Sequence, residues 1–280
     1  MHTSCAATAT TQLNSTSASC PTPVQEALVT RATYQILQDK DYSLHVGVNN
    51  ILDFTPRSSS NAASLQLYDR PELRVDPTIF LVTCGQASAA TTTGNTCKGI
   101  NSKEADFLGL EFAGAIGNFY AQAEYYHYMV SQYLTGAETM APTLDFNGGY
   151  GEISYSFGGT RHYLPAAGAY TGVIPENPLC FSCSGWGAIE IAARYSAIDL
   201  NSNLPVAGKT LATTGGVAGG YQQTWSIGLN YYPNTNMRFM LDFLHVDVSN
   251  RLLPNATTGA LTLNGGVQFN AIAARTQINF

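Results

Sequence analysis

The stretch "WGAIEIAARYSAID" occupies residues 186–199. Ile189, Ile191, Ala193, Tyr195 and Ala197 fall on alternate positions, so in an extended chain they share one side. Glu190, Ala192, Arg194 and Ser196 share the other. Strands in soluble domains usually run about five or six residues. A tilted strand that crosses a bilayer needs roughly 9–11. This segment has the longer length, an apolar side and a wet side.

The same pattern recurs along the chain. In "YQQTWSIGLNYY" (221–232), Trp225, Ile227, Leu229 and Tyr231 oppose Gln222, Thr224, Ser226, Gly228 and Asn230. In "MRFMLDFLHV" (237–246), Met237, Phe239, Leu241 and Phe243 oppose Arg238 and Asp242. In "FLGLEFAGAI" (107–116), Leu108, Leu110, Phe112 and Ile116 oppose Glu111. Period two dominates and helical periodicity is nearly absent. The alternation predicts ten strands, at 27–37, 42–54, 65–75, 106–116, 119–130, 144–157, 186–199, 221–232, 237–246 and 267–280. Short turns at 117–118 and 233–236 alternate with long polar segments at 76–105, 131–143, 200–220 and 247–266. Long strands with alternating short and long connections predict an all-β fold, a transmembrane antiparallel up-and-down β-barrel. Lipid cannot satisfy backbone N–H and C=O groups, so a spanning sheet must close.

Composition agrees. Charged residues are 11% of the 280, against the quarter or so usual in soluble domains. Gly (26), Tyr (16) and Phe (12) fill their place. The net charge of −6 leaves no basic footprint for nucleic acid. No apolar run is long enough for a transmembrane helix. The first twenty residues lack a basic segment followed by an apolar one, so they are not a secretory signal. Residues 1–23 are expected to be a polar, Cys-containing loop or disordered start, and 24–280 the barrel portion. One connection breaks the rhythm: 158–185 is long, yet falls on the short-turn side. The expected place for it is folded into the lumen.

The cysteines are Cys5, Cys20, Cys84, Cys97, Cys180 and Cys183. All lie in Gly-, Ser-, Thr- or Pro-rich segments, as loop-stapling disulfides in an oxidising compartment would. Neighbour pairing suggests Cys5–Cys20, Cys84–Cys97 and Cys180–Cys183, among the 15 connectivities that six cysteines allow. "CFSC" as a metal or redox pair lacks a second C-x-x-C or a placed His pair. The histidines share no metal-ligand spacing, and no Ser–His–Asp set or strand-to-helix phosphate loop can be argued. No enzyme activity and no cofactor are expected.

"RPELRVDP" (70–77), "FLGLEFAGAIGNFYAQAEYYHYMV" (107–130), "LDFNGGYGEISYSFGGTRHY" (144–163), "GWGAIEIAARYSAIDLN" (185–201) and "GGYQQTWSIGLNYYPNTNMRFMLDFLHVDV" (219–248) together resemble the phosphate-selective porin O and P family. The resemblance implies a Gram-negative outer-membrane porin, usually trimeric, with about sixteen strands and an arginine-rich, anion-attracting lumen. On that reading this chain is a carboxy-terminal portion that lacks a signal and about six strands; a complete smaller barrel is the alternative. The implied partners are small anionic solutes such as phosphate or polyphosphate, outer-membrane lipid and lipopolysaccharide, and the barrel-assembly machinery. The last of these would read the terminal strand "AIAARTQINF", with Phe280 at its end.

A porin needs charges that set which solute enters. The alternation places Arg31, Arg70, Arg74, Arg194, Arg238 and Arg275 inward, and Arg161 is expected to enter from the periplasmic side. Arg70 and Arg74, four apart, would share one strand face. Glu72, Glu111, Glu124, Glu152, Glu190 and Asp242 are also placed inward, so ion pairs that brace the wall compete with solute contact for each arginine. Tyr and Trp near strand ends, Tyr120 and Tyr232 among them, are read as interfacial girdles. Tyr126 and Tyr128 point inward and could form a sugar slide. The function expected is passive diffusion of small hydrophilic solutes, chiefly anions. The alternative is a structural or adhesive barrel, its pore plugged and its outer loops binding a ligand.

Overall fold

A computed structural model describes residues 3–6, 26–39, 42–54, 56, 64–73, 78–83, 99–132, 142–180, 182–204, 214–254, 261–263 and 266–279. Nine long strands form one antiparallel sheet among these residues. They are β1 (Ala27–Gln38), β2 (Tyr42–Asp53), β3 (Ile100–Ile116), β4 (Phe119–Gln132), β5 (Leu144–Phe157), β6 (Ala188–Ser202), β7 (Val217–Asn234), β8 (Met237–Pro254) and β9 (Val267–Ile278). Each pairs with its sequence neighbour, which is up-and-down topology. Among the described residues β1 and β9 do not pair with each other, so the sheet is not closed. Within the start expected to be a polar loop, Thr3–Ala6 forms a short strand against Val29–Ala32 of β1. Cys5 lies on it, with its side chain outside the described residues.

Register assigns the two faces. Ile191 pairs with Leu229 and Leu229 with Leu241, while Glu190 pairs with Asn230 and Asn230 with Met240. The first row is the outer face, and it is exposed: Ile227 61%, Trp225 58%, Ile272 76%. Isolated in water such a surface is unfavourable; against acyl chains it is the matched one. Trp225 and Tyr231 bound the apolar stretch of β7, roughly 20 Å apart at strand rise. Beyond Trp225 the outer face turns polar. His127 and Asn147 bond there at 2.8 Å, and Asp247 accepts from Gln268 at 2.8 Å. The strands therefore continue past the bilayer, which is why β3, β7 and β8 are longer than alternation alone predicts.

The expected strand at 65–75 is not a wall strand. Ser64–Leu65 pairs with Ile100–Asn101, and Tyr68–Asp69 pairs with Leu81–Val82. Pro71 has no N–H to give a ladder, and Glu72 has φ 53. Among the described residues nine long wall strands, not ten, are the result. The leucines that suggested a wall strand are apolar for another reason. Leu65, Leu67, Leu73 and Phe80 pack on a core built from Leu81 and inner-face Val130, Leu144, Phe146, Val246 and Val248. The β2–β3 connection thus covers the inner face at its long-loop end.

The β5–β6 connection covers the other end. It leaves the sheet at Gly158 (φ 72) and returns at Gly187 (φ 85), both in the region that favours glycine. A side chain at Gly187 would meet the backbone of Tyr232 and Pro233. Between them Gly159–Thr160 pairs with Ile174–Pro175, and Tyr163–Leu164 pairs with Ala169–Tyr170. Cys180 and Cys183 form a disulfide in this connection. Cys20, Cys84 and Cys97 lie outside the described residues.

Ile227→Arg, on the lipid face near mid-bilayer, is expected to cost about 2–4 kcal/mol. Ser226→Arg, one residue away on the wet face, should cost far less. Urea unfolding in phospholipid vesicles, followed by tryptophan fluorescence, measures both. Equal losses would mean that the faces are assigned wrongly.

Candidate functional site

The two connections leave a cavity of about 210 Å³ between them on the inner face. Glu72 and Leu73 bound it from the long-loop side, and Arg161 bounds it from the short-turn side. Strands β5 to β9 supply the wall, including Glu152, Glu190, Arg194, Arg238 and Asp242. Small residues Ala192, Ser226, Gly228 and Ala273 leave the space open.

Arg161 is 14% exposed and Glu190 1%. The guanidinium donates to Glu190 Oε1 through Nε at 3.2 Å and Nη2 at 2.5 Å, and to the Thr171 carbonyl at 3.0 Å. It also lies 4.7 Å from the Tyr120 ring centroid. Burial by itself would lower the Arg161 pKa, but the charge and hydrogen bonds of Glu190 more than offset this and raise it. Glu190 accepts three further bonds: from Ser154 at 2.8 Å, Asn230 at 3.1 Å and Tyr232 at 2.7 Å. An isolated buried carboxylate would be costly; this one is surrounded by donors. The tip of the same connection reaches β1 and β2. Arg31 donates to the Gly168 carbonyl at 3.0 Å, and Ser43 and Tyr170 are bonded at 2.9 Å. The His45 and Tyr163 rings meet at a tilt, with centroids 5.2 Å apart. The connection is therefore anchored on both sides of the inner face.

The long-loop connection is held by more solvated contacts. Glu72 accepts from Arg194 Nε at 3.3 Å and from Ser196 at 2.7 Å. Gln222 donates to Asp69 at 3.0 Å. Arg194 also faces Glu152 at 3.5 Å and lies 3.6 Å over the Tyr150 ring. Arg194 and Glu72 are 28% and 27% exposed.

Of the arginines expected to line a pore, Arg161, Arg194 and Arg238 meet at the cavity. Arg31 faces the inner side elsewhere, paired with Glu111 at 2.9 Å. Arg275 is exposed on β9, opposite Met240 on the inner row. Arg70 follows the short strand Tyr68–Asp69, outside any wall strand, so the face expected to be shared by Arg70 and Arg74 falls partly outside the described residues. Its Nε is buried without a hydrogen bond among the described residues, and Arg74 lies outside them. Tyr120 and Tyr232 are corrected too. Placed in girdles by their position near strand ends, they face inward, at 6% and 4% exposure, against Arg161 and Glu190. Tyr126 faces inward and stacks on Phe107 at 5.3 Å. Tyr128 packs on the apolar core. The donor cage around Glu190 was not apparent in the sequence; adjacency of Glu190 to Asn230 becomes visible only once strands are paired in register.

Glu190→Ala is expected to destabilise the protein by about 3–5 kcal/mol, because it strands a buried guanidinium. Arg161→Ala should cost less, since three other donors still hold the carboxylate. Urea midpoints in vesicles give the order. An Arg161 loss as large as the Glu190 loss would assign the stabilisation to the pair alone.

The phosphate-selective porin O and P family matches residues 13–280. A protein of Caulobacter vibrioides described as uncharacterized is 31% identical over 176 residues, covering 61% of this chain and 29% of its own length. OmpT expressed in the outer membrane of Vibrio cholerae superposes with TM-score 0.41 at 12% identity, over 90% of this chain and 56% of that one. A trimer form of in-vitro folded OmpT gives 0.39 at the same identity and coverage. The chain thus spans under two thirds of each of these proteins. With a lipid-matched outer face and a matching family over nearly its whole length, the chain belongs to the phosphate-selective porin O and P family, as an outer-membrane β-barrel protein.

Proposed function

We propose that the protein is a channel for passive diffusion of small hydrophilic solutes. The observation that supports this reading best is the polar cavity between the two inward connections, lined by three arginines and four carboxylates. A conduit needs fixed charges close enough to replace hydration and weak enough to release the solute. The finer expectation, a preference for anions such as phosphate, is supported by the family description and by the arginines. Ion pairing weighs against it, since Arg31, Arg161 and Arg194 each hold a carboxylate. Homotrimer assembly, contact with lipopolysaccharide and delivery by the barrel-assembly machinery are proposed with the family reading. No bond chemistry is proposed.

A plugged structural or adhesive barrel is the second reading. It is favoured by the apolar core that the β2–β3 connection builds on the inner face.

Purified protein in planar lipid bilayers separates the two: a channel gives stepwise current, and a plugged barrel stays silent. Glu72→Gln removes one of the two carboxylates that face Arg194 and leaves Glu152 as its remaining ion pair. It is expected to move the reversal potential in a salt gradient towards anions. An unchanged potential would place this pair outside the conduction path.

A further inference from the structure

Most charged groups around the cavity are committed to a partner. Arg161 is held by Glu190, and Arg194 by Glu72 and Glu152. Two groups differ. Arg238 donates from Nη2 to Asn230 at 3.2 Å and lies 5.4 Å from the Tyr232 ring centroid, but its Nε is buried with no hydrogen bond. Asp242 is half-buried, and no hydrogen bond or ion pair closes on it among the described residues. Both lie on the inner row of β8, on either side of Met240. At strand rise their backbones are roughly 13 Å apart, so long side chains leave a gap that a small molecule can bridge. Gly228, directly opposite Asp242 in the ladder, lets the carboxylate lie over its backbone, where a Cβ would come 2.5 Å from Asp242 Oδ1. Ala273, on its other side, is also small.

The charge balance argues against a bare anion. Four carboxylates and three guanidiniums line the cavity, an excess of one negative charge. Arg275, facing the same side opposite Met240, brings the neighbourhood only to neutrality. A solute with a single negative charge gains from Arg238 and loses to the acids around it. A solute with both an anionic and an ammonium group can satisfy both open positions. The volume, below the roughly 300 Å³ where drug-sized sites begin, suits a molecule the size of a small amino acid.

Building on the channel reading, we propose that this cavity selects small zwitterions, with Arg238 receiving the anionic group and Asp242 the ammonium group. Release stays fast because both side chains are partly solvated.

The test uses protein extracted from outer membranes and reconstituted in liposomes. Swelling rates are compared for glycine and for its uncharged isomer glycolamide, which has the same atoms without the separated charges. Glycine is expected to enter faster by about twofold to fivefold, the factor that partly solvated ion pairs are worth. The ratio should fall to near one in Arg238→Gln and in Asp242→Asn. Equal or slower entry of glycine in the unaltered protein overturns the zwitterion site and leaves the channel reading standing. A glycine advantage that survives both substitutions also overturns it. Absence of swelling with either solute ends the channel reading, and the zwitterion site with it.

Discussion

Backbone polar groups have no partner in lipid, and that constraint organises this protein. Every N–H and C=O at membrane depth must bond to a neighbouring strand. The chain answers with long antiparallel strands in sequence order. A strand exposes alternate residues to opposite faces, so one face must be apolar for lipid and the other is free to be wet. Rows such as Ile191–Leu229–Leu241 meet the first demand, and rows such as Glu190–Asn230–Met240 use the second freedom.

The inner face is a problem of a different kind. Its charges are surrounded by low-dielectric walls, where an unpaired ion is costly. The structure meets that cost by folding two connections onto the face from opposite ends. The short-turn connection brings one guanidinium, Arg161, to a carboxylate that already has three donors. The long-loop connection brings Glu72 to Arg194 and an apolar cluster to the inner valines and leucines. One contact is buried and the other partly wet, so the two connections are held with different firmness. The cavity lies between them, lined by residues from both connections and from the wall.

Much of the fold was legible. Alternation placed the walls, because a period of two has only one structural meaning when it persists over a bilayer's thickness. It failed at 65–75, where a short period-two run served an inward connection, and Pro71 was the local sign that a ladder could not pass. It also made β3, β7 and β8 too short, since polar residues above the bilayer hide the pattern. The site was legible only in part. Which residues face inward followed from parity for Arg194, Arg238 and Asp242. Tyr120 and Tyr232 were misplaced because nearness to a strand end does not say which face a ring occupies.

The sequence by itself determined the class of fold, the two faces and the solvent that each one meets. These are local properties, set by neighbours two residues apart. Only the tertiary structure decided which charges are spent on each other and which stay open. Arg161 and Glu190 are 29 residues apart and Arg194 and Glu72 are 122 apart. Such pairs depend on strand register and on how the long connections fold back, and no period in the chain encodes that distance.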